Sequence, residues 1–173
     1  MILTDGKKKI SLEEFMQLDD THVELINGYV IKEPTPSYGH QTVVLDILIE
    51  IANRVRKNEI GQVLAAPMDV FLDDIVVQPD ILFITTERLS IIQDDKIKNA
   101  PDVVFEVISP SNAHNDTKVK FDIYEKYGVK EYFLVYPEDK TVIKYILVDG
   151  RYHEQYREKA FVNSEAMKCE FNF

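Results

Sequence analysis

The chain has 173 residues, 45% hydrophobic and 29% charged, so we expect a single packed domain over residues 1–173. The single cysteine, Cys169, excludes an internal disulfide and fits a reducing cytoplasm, and no apolar run is long enough to span a membrane. The net charge of −10 argues against broad, non-specific wrapping of nucleic acid, although it leaves room for a local basic groove.

The first third of the chain predicts a short helix, a hairpin and a long helix. Ser11 followed by Glu14 is a capping-box pattern and predicts a helix over residues 11–19. Asn27-Gly28 between apolar runs predicts a hairpin, because both turn residues need a positive φ. From Tyr38 to Lys57 apolar residues recur at intervals of three and four, which predicts the longest helix.

The rest of the chain predicts strands around a second helix. Strands are expected over residues 62–66, 68–72 and 76–84, then a weak helical turn over 87–92 and a loop over 96–100. The continuous apolar run over 103–108 is typical of a buried central strand. A helix over about 115–127, with Gly128 as its C-cap, precedes strands over 131–135, 141–147 and 152–156. This order indicates an α/β fold with mixed strand pairing.

Three acidic residues stand where the strand pattern favours apolar ones. Glu106 lies inside Val-Val-Phe-Glu-Val-Ile, Asp80 lies in the run over residues 76–84, and Glu24 lies in the first strand. A carboxylate in a buried strand is unfavourable unless it is paired, hydrogen-bonded or bound to a metal. Two carboxylates on neighbouring strands suit a hard divalent cation such as Mg²⁺ or Mn²⁺.

Lys120 is the candidate cation beside these acids. It shares one stripe of the second helix with Tyr124 and Tyr127, and Asp116 lies one turn before it. A lysine next to a metal could orient a water or stabilise charge on a phosphate. Asp116 and Lys120 could instead be a solvated ion pair worth about 0.3–0.5 kcal/mol.

Each acid also has a purely structural interpretation. Glu106 could be satisfied by backbone donors, and Asp80 could cap a turn after Pro79. Glu24 could be a solvent-facing residue of a half-exposed first strand.

Several motifs together resemble the Uma-type family of endonucleases. They are Glu24-Leu25-Ile26-Asn27-Gly28, Pro36-Ser37 with His40, Gln78-Pro79-Asp80-Ile81, residues 100–111, then Asp116, Lys120, Tyr124 and residues 128–132. The resemblance covers nearly the whole chain. It implies the PD-(D/E)XK phosphodiesterase fold, a restriction-endonuclease-like core with a mixed β-sheet flanked by helices and an N-terminal hairpin.

The resemblance also implies roles for particular residues. Asp80 and Glu106 would be catalytic acids that hold Mg²⁺ together with the backbone carbonyl of Val107, and Mn²⁺ would substitute for Mg²⁺. In the PD-(D/E)XK motif a lysine follows the second acid by two residues. Ile108 stands there in this chain, so the resemblance points to Lys120 instead. Glu24 would correspond to the acid contributed by the first element.

His40 and Asp69 are further candidates at the margin of the predicted site, as is Asp116. His40 opens the long helix and could touch a phosphate or a water at the scissile bond, or it could be a polar surface residue. Asp69 could be a peripheral acid.

The resemblance implies a metal-dependent endonuclease that hydrolyses phosphodiester bonds, with DNA as the expected substrate. A homodimer would suit the cutting of two strands. One alternative is a non-catalytic nucleic-acid-binding or regulatory module that keeps the nuclease fold, suggested by Ile108 and by the net charge of −10. Another is a metal hydrolase acting on a small phosphorylated substrate, because a fold alone does not fix function.

Overall fold

The computed structural model describes residues 8–109 and 113–173. Its helical elements are α1 (Leu12–Phe15), α2 (Tyr38–Asn58), a 3₁₀ turn (Thr86–Ile91), a π-helical turn (Asn115–Lys120) and α3 (Phe121–Tyr127). Its strands are β1 (Val23–Ile26), β2 (Tyr29–Lys32), β3 (Gly61–Ala65), β4 (Val70–Leu72), β5 (Ile75–Val77), β6 (Ile81–Thr85), β7 (Ile92–Gln93), β8 (Lys96–Ile97), β9 (Val103–Val107), β10 (Glu131–Tyr136), β11 (Thr141–Val148), β12 (Arg151–Lys159), β13 (Phe161–Ser164) and β14 (Cys169–Asn172). None of the helices in the described part of the chain is both long and apolar enough to cross a membrane.

The strands form two six-stranded sheets and one separate hairpin, β13–β14. The first sheet has the order β2-β1-β5-β4-β8-β7, and the second has the order β12-β11-β10-β9-β6-β3. The β9–β10 and β4–β8 pairs are parallel, whereas β1–β2 and β6–β9 are antiparallel. The predicted α/β fold with mixed pairing is therefore confirmed, and β1–β2 is the predicted hairpin, with positive φ at Asn27 and Gly28.

The second sheet lies between α2 and α3. Alternate residues of its strands face opposite sides, as the two-residue repeat of a strand requires. One cluster joins α2 to the sheet through Val43, Ile47, Ile51, Val55, Phe83, Phe105 and Phe133. The other joins α3 to the opposite face through Leu82, Val104, Ile123, Tyr124 and Tyr132. Strand β9 is buried along its whole length, as its apolar run predicted.

The strand predicted over residues 76–84 is two strands that belong to different sheets. Strand β5 pairs with β1 in the first sheet, and β6 pairs with β3 and β9 in the second. The break falls at Gln78-Pro79-Asp80, where proline has no backbone N–H to continue a ladder. The prediction of one continuous strand was wrong, and the break places Asp80 at the junction of the two sheets.

Four other segments differ from the sequence prediction. The first helix is only Leu12–Phe15, because Met16 and Leu18 are exposed and give a longer helix nothing to pack against. Part of the predicted loop over 96–100 is β8, which pairs with β7 and β4. The first half of the predicted second helix is π-helical. The C-terminal hairpin, which covers the α2 side of the core with Val162 and Phe171, was not predicted.

The last two residues of the motif over 100–111, Pro110 and Ser111, lie outside the described residues.

Gly61 is required at the start of β3. Its φ is +156°, and a Cβ at this position would lie 2.1 Å from the carbonyl oxygen of Ile84. We expect Gly61→Ala to lower the free energy of unfolding by about 2–3 kcal/mol, because backbone atoms of β6 would have to move. Urea denaturation measures this change.

Gly39→Ala is the matched control, because a Cβ at Gly39 has no atom within 4 Å. This substitution in the first turn of α2 should leave stability unchanged or raise it by up to about 1 kcal/mol. Equal effects of the two substitutions would contradict the steric explanation.

Candidate active site

The predicted site residues meet where the two sheets adjoin. Glu24 comes from β1, Asp80 directly precedes β6, and Glu106 lies in β9. Asp116 and Lys120 come from the π-helical turn before α3. All of these except Asp80 are exposed by 4% or less. The interpretations of Glu24 as solvent-facing and of Asp116–Lys120 as a solvated pair are therefore wrong.

Lys120 lies at the centre of this cluster. Its Nζ is 2.9 Å from Glu24 Oε1, 3.2 Å from Glu106 Oε1 and 3.6 Å from Asp116 Oδ1. A buried ammonium group is strongly unfavourable without such partners. The lysine predicted from the following helix therefore reaches both Glu106 and the acid of the first sheet.

The π-helical turn holds two of the charged residues. Such turns are rare and frequently occur at functional sites. The hydroxyl of Tyr132 in β10 donates to the carbonyl oxygen of Asp116 at 2.8 Å, which fixes the turn against the sheet. The sequence could not distinguish this turn from an α-helix, because six residues are too few to separate the two periodicities.

Asp80 and Glu106 are neighbours on adjacent strands. Ile81 pairs with Phe105 in the antiparallel β6–β9 ladder, so the next residues outward, Asp80 and Glu106, lie side by side. Asp80 Oδ2 accepts a hydrogen bond from the backbone N–H of Val107 at 2.7 Å. Glu106 Oε1 accepts one from the hydroxyl of Tyr124 at 2.8 Å. In each acid these contacts involve one carboxylate oxygen, Oδ2 in Asp80 and Oε1 in Glu106.

His40 contacts Asp80 from the first turn of α2. Its Nε2 lies 3.2 Å from Asp80 Oδ2, and the residue is 7% exposed. The helix is capped by Ser37, whose Oγ accepts a hydrogen bond from the backbone N–H of His40. Burial would lower the pKa of His40, but the hydrogen bond and charge of Asp80 raise it overall. The interpretation of His40 as a surface residue is therefore wrong.

Burial raises the pKa values of the clustered acids. Removal from water disfavours the charged form, and neighbouring carboxylates add to the effect. The pKa of Glu24 is raised from 4.5 to about 8, that of Asp116 from 3.8 to about 6, and that of Glu106 well above its ordinary value. Burial alone would lower the pKa of Lys120, but Glu106 and Glu24 raise it overall, so the lysine stays charged. The acids outnumber Lys120, and the cluster favours added protons or a further cation.

A cleft of about 210 Å³ connects the cluster to solvent. Residues on its walls include Glu33, Pro36, His40, Asp80, Glu106 and Lys120. The Asp80 side chain is 20% exposed, so it is the acid of the pair most open to the cleft. A small anionic group entering here would meet Asp80 first and Lys120 behind it.

Comparison with known proteins identifies the family of this chain. Residues 12–170 match the model of the Uma2 family, which is described as "Putative restriction endonuclease". The chain belongs to the Uma2 family. Every site residue from Glu24 to Lys120 lies inside the matched segment of this Uma2 chain.

The fold of the Uma2 chain is also that of a solved structure. A crystal structure from Anabaena variabilis ATCC 29413, described as "a putative nuclease belonging to DUF820", is similar with a TM-score of 0.76. The similarity covers 92% of this chain and 91% of that one, at 22% sequence identity. At this level of identity the likeness shows the fold alone.

Two curated relatives match a part of the chain. Both are described as "Ornithine carbamoyltransferase 1, catabolic", from Streptococcus agalactiae serotype III strain NEM316 and serotype V strain 2603 V/R. Each is 34% identical over 97 residues, which is 50% of this chain and 26% of the transferase. The Uma2 chain thus spans about a quarter of the length of these relatives, and the activity of the whole transferase does not carry over to it.

Gln78 belongs to one of the motifs that carry the family resemblance, but the sequence indicated no role for its side chain in the site. Its backbone N–H donates to Glu24 Oε1 at 2.7 Å, and its side-chain amide donates to Asp69 Oδ1 at 2.7 Å and to the carbonyl of Thr21 at 2.9 Å. The one signal was its place before Pro79, at the break between the sheets. Asp69 lines a separate depression next to α1 rather than the cleft, so it touches the cluster only through Gln78.

The acids fit a hard divalent cation. Over residues 8–109 and 113–173, no three His, Cys, Asp or Glu side chains are already arranged around one metal position. Mg²⁺, however, is often held by one or two carboxylates, with water completing the shell. Asp80 and Glu106 supply such oxygens. Within the same residues, the buried Oε2 of Glu24 and Oδ1 of Asp116 have no hydrogen-bond partner, although Asp116 Oδ1 lies 3.6 Å from Lys120 Nζ. These oxygens could take up a proton or contact a cation.

Proposed function

We propose that this Uma2 protein is a metal-dependent endonuclease that hydrolyses phosphodiester bonds in DNA. The observation that carries the proposal is the pairing of Asp80 with Glu106 at the cleft, with Lys120 Nζ 3.2 Å from Glu106. Membership of a family described as "Putative restriction endonuclease" supports the same reaction class. The free thiol of Cys169 is compatible with the reducing cytoplasm.

Asp80, Glu106 and the Val107 carbonyl would hold Mg²⁺, with Mn²⁺ able to substitute. The bound ion would supply Lewis acidity for the phosphodiester and an activated water. By holding the ion, Asp80 and Glu106 would set where the substrate phosphate binds relative to Lys120. The ammonium group of Lys120 would donate to the attacking water or to the phosphate oxygens as charge develops there.

Ile108 does not favour the non-catalytic alternative. Its side chain is 4% exposed and packs in the core on the α3 side of the sheet. Lys120 would supply the cation that the PD-(D/E)XK pattern places at this position, because its Nζ lies 3.2 Å from Glu106 Oε1. Lys120 could therefore play the catalytic part of the lysine that is missing at position 108.

The charge of the protein favours a substrate that arrives with a metal ion. The chain carries a net charge of −10, and Glu33, Asp80 and Glu106 line the cleft. A phosphate would be repelled from this surface until a divalent cation compensates the acids. Cutting both strands of a duplex would require two copies of the site, so a homodimer is part of the proposal.

The first test is isothermal titration of Mn²⁺ into the parent protein and the Asp80→Ala/Glu106→Ala variant. We expect specific binding to the parent and none to the double variant. Asp122→Ala/Glu158→Ala, which removes two exposed acids, is the charge-matched control and should bind like the parent. Unchanged binding in the Asp80/Glu106 variant would reject the metal site.

A cleavage assay with Mg²⁺ or Mn²⁺ on plasmid and oligonucleotide substrates then tests the reaction. Cutting by the parent that Glu106→Ala abolishes is the expected result. Binding of nucleic acid without turnover would favour the regulatory module instead. Hydrolysis of model phosphodiesters without any cleavage of oligonucleotides would favour a small phosphorylated substrate.

A further inference from the structure

His40 links helix α2 to one of the two acids. Its ring lies between the first turn of the helix and the start of β6, with Nε2 3.2 Å from Asp80 Oδ2. The His40 side chain is 9% exposed although it lines the cleft. A ring so enclosed and so engaged has little surface left with which to bind a substrate phosphate.

Two groups from different elements approach the same oxygen of the Asp80 carboxylate. Oδ2 receives both the His40 ring and the Val107 backbone N–H, which lies at 2.7 Å. Neither contact uses Oδ1. A carboxylate held at one oxygen by two donors from different elements cannot rotate without breaking both contacts, so the direction of Oδ1 is fixed.

Each donor is itself held by regular structure. Val107 ends the buried strand β9, and His40 sits in a helix that is capped by Ser37 and packed against the sheet through Val43 and Ile47. A donor on a flexible loop could move together with the carboxylate and would restrain it little. A donor on a packed helix has a fixed position and therefore restrains the carboxylate.

We propose that His40 is a positioning residue, which holds the Asp80 carboxylate so that its second oxygen is presented to the divalent cation. This inference rests on the proposed function. Partners that orient a ligating carboxylate commonly affect metal affinity by 10- to 100-fold when they are removed. His40 would thus act through Asp80 and not by contact with the phosphate.

The test compares the Mn²⁺ affinity of the parent, His40→Ala and His40→Gln by isothermal titration. Alanine removes the donor, whereas the glutamine amide nitrogen reaches a position similar to that of Nε2 and keeps an N–H for Asp80. We expect affinity to fall about 10- to 100-fold in His40→Ala and to stay within about threefold of the parent in His40→Gln. Tyr38→Ala, an exposed change in the same turn, should bind Mn²⁺ like the parent.

A second readout separates positioning from a general loss of structure. Cleavage by His40→Ala should recover as the Mn²⁺ concentration is raised, because the missing contact weakens metal binding and leaves Lys120 in place. Thermal unfolding without metal checks that each variant is folded. Parent-like Mn²⁺ affinity in His40→Ala, or equal losses in the alanine and glutamine variants, would overturn the inference and leave the proposed function intact. If the parent binds no Mn²⁺, the metal site and the inference fail together.

Discussion

Lys120→Met should slow cleavage by about 100- to 1,000-fold and destabilise the protein. Lys120 Nζ is within 3.6 Å of Glu24, Glu106 and Asp116, and the residue is only 2% exposed. Its loss leaves buried carboxylates without a counter-charge, which typically lowers the free energy of unfolding by about 3–5 kcal/mol. Loss of a donor that stabilises developing charge typically lowers kcat by about 100- to 1,000-fold. Urea denaturation and a single-turnover cleavage assay measure the two effects.

Lys118→Met is the matched control for this substitution. Lys118 lies on the same π-helical turn and is exposed, so its replacement should change stability by less than about 0.5 kcal/mol. Cleavage should be carried out well below the unfolding temperature of Lys120→Met, so that lost activity does not reflect unfolded protein. A folded Lys120→Met variant that cleaves within threefold of the parent would exclude the catalytic role.

Glu106 was predictable from the sequence because its signal is local. Glu106 interrupts an apolar run whose neighbours all had to be buried, so the sequence already required a partner for its charge. That partner is Lys120, together with the hydroxyl of Tyr124. Lys120 was predictable for a similar reason, since it lies on the same helical stripe as Tyr124.

The remaining features depend on contacts between distant segments. Glu24 is buried because the first sheet packs against the second, and the four residues of β1 carry no sign of that packing. The break at Pro79 divides one predicted strand into two strands that belong to different sheets. Gln78 can contact Glu24 and Asp69 because it lies at this break. His40 meets Asp80 across 40 positions of sequence, and no periodic pattern relates a helix start to a strand start. Tertiary packing therefore completes a site whose charged centre the sequence had indicated.

The metal-free protein should become less stable as pH rises from about 4.5 to about 8. Burial raises the pKa of Glu24 from 4.5 to about 8, so in this range the folded state holds a proton that the unfolded chain releases. Unfolding then releases protons and becomes more favourable with rising pH. Asp116, whose pKa is raised from 3.8 to about 6, adds to the fall at the lower end of the range. The slope integrates to about 1.4 kcal/mol for each unit of pKa shift.

Glu24→Gln isolates this contribution, because glutamine has the same shape and cannot ionise. Urea denaturation from pH 4.5 to 8 measures the free energy of unfolding of both proteins. As pH rises, this free energy should fall in the parent relative to Glu24→Gln. Glu158→Gln, at an exposed position, should leave the pH dependence of the parent unchanged. Parallel pH curves for the parent and Glu24→Gln would contradict the raised pKa.

Excess Mg²⁺ should stabilise the parent more at pH 8 than at pH 6, because a cation replaces protons that the cluster must otherwise hold. The same excess of acidic groups that destabilises the metal-free protein at high pH would thus favour binding of the metal that the proposed reaction needs.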